Sequence, residues 1–143
     1  MSPINKETIH ARLQKLAEII DALERYRQMS LEDFLNDHTI QAASELYMLR
    51  GIEVIVDVGN HLLSEVFQCS AKEYKEVLLL LGEKSIMPQD FAEQNSDMVG
   101  FRNRLAHVYM DMDYTKVYDY LVKAPDIFRK FTKYFIEFVE QCQ

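Results

Sequence analysis

From about residue 38 to residue 68 no proline interrupts the chain. The middle of that run, Ile52-Glu53-Val54-Ile55-Val56-Asp57-Val58, is apolar on nearly every face. Its β-branched residues would suit a strand. The length of the run and the helical pattern on either side predict a helix instead. A helix that is apolar all round lies at the centre of a fold or at a subunit interface. The remaining segments must therefore pack around this one.

The rest of the chain supplies amphipathic helices for that purpose. It holds only four Gly and three Pro, with 48% hydrophobic residues, and so few breakers favour long helices. Ser2-Pro3 suits a helix start. Ile9, Leu13, Leu16, Ile20 and Leu23 then recur at three- and four-residue steps, which predicts one buried stripe running to about Met29. Ser30 caps a short turn whose Leu31, Phe34 and Leu35 are expected on the core. Asn36 or Asp37 can cap the central helix. Ser70-Ala71-Lys72-Glu73 resembles a capping box opening a helix through Tyr74, Val77, Leu78 and Leu81 that stops at Gly82. Ile86-Met87-Pro88 restarts the chain, and a helix through Phe91 follows. Ser96-Asp97 can cap a helix over about 97–110, and Asp113 another from about 115. Pro125 is expected to break that helix, leaving a last one over about 126–141 with Ile127, Phe131, Tyr134, Phe135 and Phe138. The expectation is an all-α, up-and-down bundle forming a single domain over 1–143.

The formal net charge is −7, which opposes any broad, non-specific coating of nucleic acid. DNA is not expected as a partner, although a small local basic pocket remains compatible with this charge. Cys69 and Cys142 form no disulfide framework and suit a reducing cytoplasm. No signal-peptide layout and no uncharged run long enough for a bilayer is present, so no membrane role is expected.

The chemistry-bearing stretch is Phe101-Arg102-Asn103-Arg104-Leu105-Ala106-His107-Val108-Tyr109. On an ideal helix Arg102 and His107 point roughly 140° apart, whereas Asn103 and His107 share a face. Histidine suits proton transfer near neutral pH. Arginine presents a planar fork that fits a phosphate. Arg plus His without a metal cluster suits RNA phosphodiester cleavage, in which a base takes the 2′-hydroxyl proton and an acid protonates the leaving oxygen. One chain offers one good histidine, and a symmetric dimer would offer two. The same pair also fits a structural salt bridge, and from these residues alone the two readings stay open.

The motif is similar to the Arg-x4-His-x-Tyr signature of the HepT-like branch of the HEPN superfamily. Leu31-Glu32-Asp33-Phe34, the central helix with Asp57, Ile86-Met87-Pro88, Phe101 and Asp113 resemble that branch as well, so nearly the whole chain is covered. The resemblance implies a five- or six-helix bundle that dimerises around a shared cleft, as a homodimer or higher even oligomer. It implies a metal-independent endoribonuclease toxin acting on RNA, with Arg102 and His107 catalytic and Asn103 orienting the arginine. It implies a partner antitoxin, an MntA-like minimal nucleotidyltransferase, that transfers AMP to Tyr109. The rival expectation is a non-enzymatic HEPN subunit that binds or scaffolds a nucleotidyltransferase. The acidic overall charge is unexpected for a ribonuclease.

Glu53, Asp57 and His61 share one helix face at i, i+4 and i+8. A di-iron bundle needs Glu-x-x-His pairs on further helices, and Asp90 through Glu93 and Asp97 supply no such pair, so no metal or other cofactor is expected. Asp57, with Glu53, is expected to hold Arg102 or Arg50; the alternative for Glu53 is that it faces solvent. His10, His38 and His61 are expected to be structural or exposed. Tyr114, Tyr118 and Tyr120 are expected as core or surface aromatics.

Overall fold

The computed structural model describes residues 4–106 and 112–142. Within these residues the chain is an all-α bundle of seven helical segments without a strand. They are α1 (Lys6–Tyr26), α2 (Leu31–Leu35), α3 (His38–Phe67), α4 (Tyr74–Glu83), α5 (Gln89–Asn95), α6 (Met98–Ala106) and α7 (Tyr114–Gln141). α2 is a single five-residue turn, and the other six carry the architecture.

α3 is the axis. Asp37 caps it by accepting from the Ile40 amide at 3.0 Å. It ends at Gln68, which takes a left-handed conformation at φ 51°. Ile52, Ile55, Val56, Val58, Leu62 and Leu63 are buried, and α1, α2, α4, α6 and α7 all pack on it. Two glycines permit close approach. A Cβ at Gly51 would lie 2.3 Å from the Phe128 ring of α7, and one at Gly59 would lie 2.8 Å from Leu81 of α4.

α1 buries the stripe its spacing predicts: Ile9, Leu13, Leu16, Ile20 and Leu23. Its cap is Asn5, which accepts from the Thr8 amide at 3.1 Å; Ser2 and Pro3 lie outside the described residues. Ser30 caps α2 as expected. One turn can present only one side to the core, however. Phe34 is buried, while Leu31 and Leu35 remain 37% and 40% exposed.

Three further expectations change. The capping box at Ser70–Glu73 does not form: α4 starts at Tyr74, and Glu73 makes no side-chain cap bond. Gly82 does not end α4. It lies inside the helix, buried, where a Cβ would meet Ala92 at 2.9 Å and Gln89 at 3.0 Å, so its role is close packing on α5. The left-handed residue after α4 is Ser85, at φ 60°. Pro125 does not break the chain into two helices, and α7 runs through it. Its ring is buried, and Arg27 supplies a donor to the Val122 carbonyl in the preceding turn.

Asp113 caps α7 by accepting from the Thr115 amide at 3.0 Å. Phe128, Phe131 and Phe135 of α7 fill the core. Among the described residues no helix is long and apolar enough to cross a membrane.

Candidate functional site

α6 is anchored by Met98, Phe101 and Leu105, which are buried on one face. Phe101 stacks on Tyr120 of α7, with ring centroids 4.3 Å apart, and α6 lies against α3. That anchoring turns the neighbouring flank, with Arg102, toward the side of α3 that carries Glu53.

Arg102 is three-quarters buried on its side chain and has three partners. Its Nη2 lies 3.9 Å from Glu53 Oε2. Its Nη1 donates to Asn103 Oδ1 at 3.2 Å. Its guanidinium carbon sits over the Tyr74 ring of α4, 4.8 Å from the centroid. Nε is shielded from solvent and has no hydrogen-bond partner among the described residues. At 3.9 Å the Glu53 contact is an ion pair without a hydrogen bond, and so a modest attraction. Together the three contacts hold a cation at the edge of an open cleft of about 480 Å³ lined by Glu73, Tyr74, Lys75, Arg102 and Asn103. Such a cation can take an anion, because a guanidinium keeps further N–H donors beyond those already used.

Of the residues the sequence singles out, the structure brings together Arg102, Asn103 and Glu53. Asp57, one turn beyond Glu53, is exposed and has no ion pair among the described residues. The expectation that Asp57 leads in holding Arg102 is thus corrected. The tilt of α6 brings Arg102 level with Glu53, and Asp57 points to water. Arg50 is exposed as well. His107 and Tyr109 lie outside the described residues, as does the part of the expected 97–110 helix beyond Ala106.

The other histidines and tyrosines are accounted for by the fold. His10 is exposed, and His38 Nδ1 lies 3.1 Å from Gln41 Oε1. His61 is half-buried, with Nε2 shielded and unpaired. The Tyr118 hydroxyl donates to the Met29 carbonyl. Burial pushes the Tyr120 phenol well above its ordinary value, and burial beside Glu45 raises that of Tyr114. Among the described residues no cluster of three His, Cys, Asp or Glu side chains could hold a metal ion.

Tyr74 and Lys75 are the site neighbours that the sequence pattern does not reveal. Tyr74 reads as one more apolar position of α4, and only the packing of α4 and α6 on α3 sets it against Arg102.

Comparison with known proteins is consistent across sequence and fold. Residues 16–135 match the family described as Ribonuclease HepT-like. The chain is 28% identical over 118 residues to the tRNA nuclease HepT of Aphanizomenon flos-aquae, covering 82% of this chain and 80% of that protein. It is 24% identical over 103 residues to the mRNA nuclease HepT of Shewanella oneidensis, covering 71% and 77%. Its fold superposes with a TM-score of 0.81, at 19% identity, on the tri-AMPylated Shewanella oneidensis HEPN toxin solved in complex with an MNT antitoxin, covering 90% of this chain and 96% of that one. With the match spanning most of the bundle and the Arg102 motif inside it, the chain belongs to the Ribonuclease HepT-like family.

Proposed function

We propose that this protein is a metal-independent endoribonuclease toxin of a HEPN/MNT toxin–antitoxin pair. The observation that carries the reading is the placement of Arg102. Its guanidinium is held at an open cleft by Glu53, Asn103 and Tyr74, five residues before His107 in the chain. The names of the relatives, a tRNA nuclease and an mRNA nuclease, support an RNA substrate. In the proposed reaction His107 takes the proton of a ribose 2′-hydroxyl. The 2′-oxygen bonds to phosphorus, the bond to the 5′-oxygen breaks, and that oxygen receives a proton from the second histidine of a homodimer. Arg102 stabilises the charge that builds on the phosphoryl oxygens.

The partner is an MntA-like nucleotidyltransferase, which neutralises the toxin by AMPylating Tyr109. An adenylyl group there would add a phosphodiester charge that arginine can pair with, and bulk close to the substrate's position. The comparison toxin, tri-AMPylated and bound to an MNT antitoxin, supports this assignment.

The test is RNA cleavage by the purified protein in EDTA. Wild type should cut, and His107→Ala should lose about 10²–10⁴-fold in rate while keeping its helicity. Co-expression with the partner should add mass in units of AMP to wild type and none to Tyr109→Phe. A folded wild type that leaves RNA intact, and is not modified, would favour the scaffold reading.

A further inference from the structure

We propose that Tyr74 is a positioning residue for Arg102, so that the first turn of α4 forms part of the RNA-cleaving machinery. This rests on the ribonuclease reading above. A guanidinium needs two constraints to be useful against a phosphoryl group: its charge must be present, and its plane must be set. Glu53 supplies a counter-charge at 3.9 Å, too long to fix an orientation. Asn103 fixes one corner through Nη1. Neither contact defines the plane. The Tyr74 ring does, because the guanidinium carbon lies over it at 4.8 Å, within the range of a cation–π contact.

Tyr74 is itself well placed to act as a fixed surface. It is half-buried and packs against the main core. It opens α4, whose Val77, Leu78 and Leu81 are fully or almost fully buried. Gly59 of α3 lets Val77 and Leu81 of α4 approach closely, which fixes α4 on the helix that also carries α6. The Tyr74 and Arg102 side chains line the same cleft, with Lys75 beside them. A ring held this way restricts Arg102 before substrate arrives, and a pre-set donor array needs no reorganisation as charge develops. The phenolic hydroxyl plays no part in the contact, so phenylalanine should serve equally well and leucine should not.

The experiment compares wild type, Tyr74→Phe and Tyr74→Leu in RNA cleavage, with thermal unfolding and the NMR signal of the Arg102 Nε–H group recorded for each. Tyr74→Phe is expected to keep the wild-type rate and the ring-shifted signal. Tyr74→Leu is expected to lower kcat about tenfold with KM little changed and to return the signal toward that of a free arginine. In an Arg102→Lys background, Tyr74→Leu should bring no further loss, since the planar group it positions is gone. Equal kcat in the leucine and wild-type proteins would overturn the proposal. So would a loss in the leucine variant that persists at full size in the Arg102→Lys background. If wild type cuts no RNA, the ribonuclease reading fails on its own, and the Nε–H signal still decides whether Tyr74 holds Arg102.

Discussion

Arg27 binds the Val122 carbonyl in the turn of α7 that leads into Pro125. Its Nη1 donates to the carbonyl of Val122, three residues before the proline, at 3.1 Å, and to Asp126 Oδ2, just after it, at 2.9 Å. The same guanidinium pairs with Glu24 on α1, and Arg129 reaches Glu24 from α7 at 2.9 Å. A helix interrupted by proline loses an amide donor and crowds the turn before it. Arg27, the C-cap of α1, ties α1 to α7 beside that turn.

Arg27→Met keeps the length of the stem and removes the donors. Thermal or urea unfolding should show a loss of about 1 kcal/mol. In an Asp126→Asn background the same substitution should bring a smaller loss, because one of its ionic partners is already gone. Equal losses in both backgrounds would mean that Arg27 acts without Asp126.

The acid limb of stability should report the same clamp. Arg27 holds the Glu24 and Asp126 carboxyls below the usual carboxylate range through direct hydrogen bonds, with Arg129 assisting. A lowered native pKa stabilises the fold above the ordinary carboxylate value of about 4. That stability is lost as pH falls through the lower native values. Arg27→Met should therefore flatten the dependence of Tm on pH below about pH 4. Glu45 runs the other way. Burial raises its pKa, so the native state favours its protonated form and loses that preference as pH rises. Glu45→Gln should raise Tm near pH 7 and change it little near pH 3, about one unit below the ordinary value.

Gly51→Ala should destabilise the bundle although alanine is the better helix former. The new Cβ would lie 2.3 Å from the ring of Phe128, which is fully buried and cannot swing away. Overpacking of this kind costs about 1–3 kcal/mol, against about 1 kcal/mol gained from helix propensity. A net loss near 1 kcal/mol should lower Tm by roughly 2–4 °C. Phe128→Leu, harmful alone, should be less harmful with Gly51→Ala than additivity predicts, as calorimetry of the double variant would show.

The two carboxylates on the face of α3 should separate in RNA cleavage. Glu53→Gln removes the counter-charge 3.9 Å from Arg102. It should lower kcat by no more than about tenfold, the range of a partly exposed pair. Asp57→Asn, at an exposed carboxylate with no ion pair among the described residues, should have the smaller effect. The reverse ranking, measured at equal salt, would show that the pairing in the cleft differs during turnover.

What the sequence by itself determined is the all-helical character, the α1 stripe and three of the caps. The α1 stripe, the caps at Ser30, Asp37 and Asp113, and the helical reading of Ile52–Val58 all hold, because periodicity and capping are local and act over a few residues. Membership of the family was legible for the same reason: the Arg102 motif is a contiguous string. The tertiary structure decided everything that depends on two segments meeting. Pro125 stays inside a helix because α7 is packed along its length on α1 and α3, with the proline ring buried. Gly82 is a packing glycine rather than a stop because α5 folds onto it. Glu53 rather than Asp57 pairs with Arg102 because the burial of Met98, Phe101 and Leu105 sets the rotation of α6. Tyr74 joins the site because α4 and α6 both pack on α3. Each of these is a choice between side chains that look equivalent along the chain, and only the packing of distant helices makes them differ.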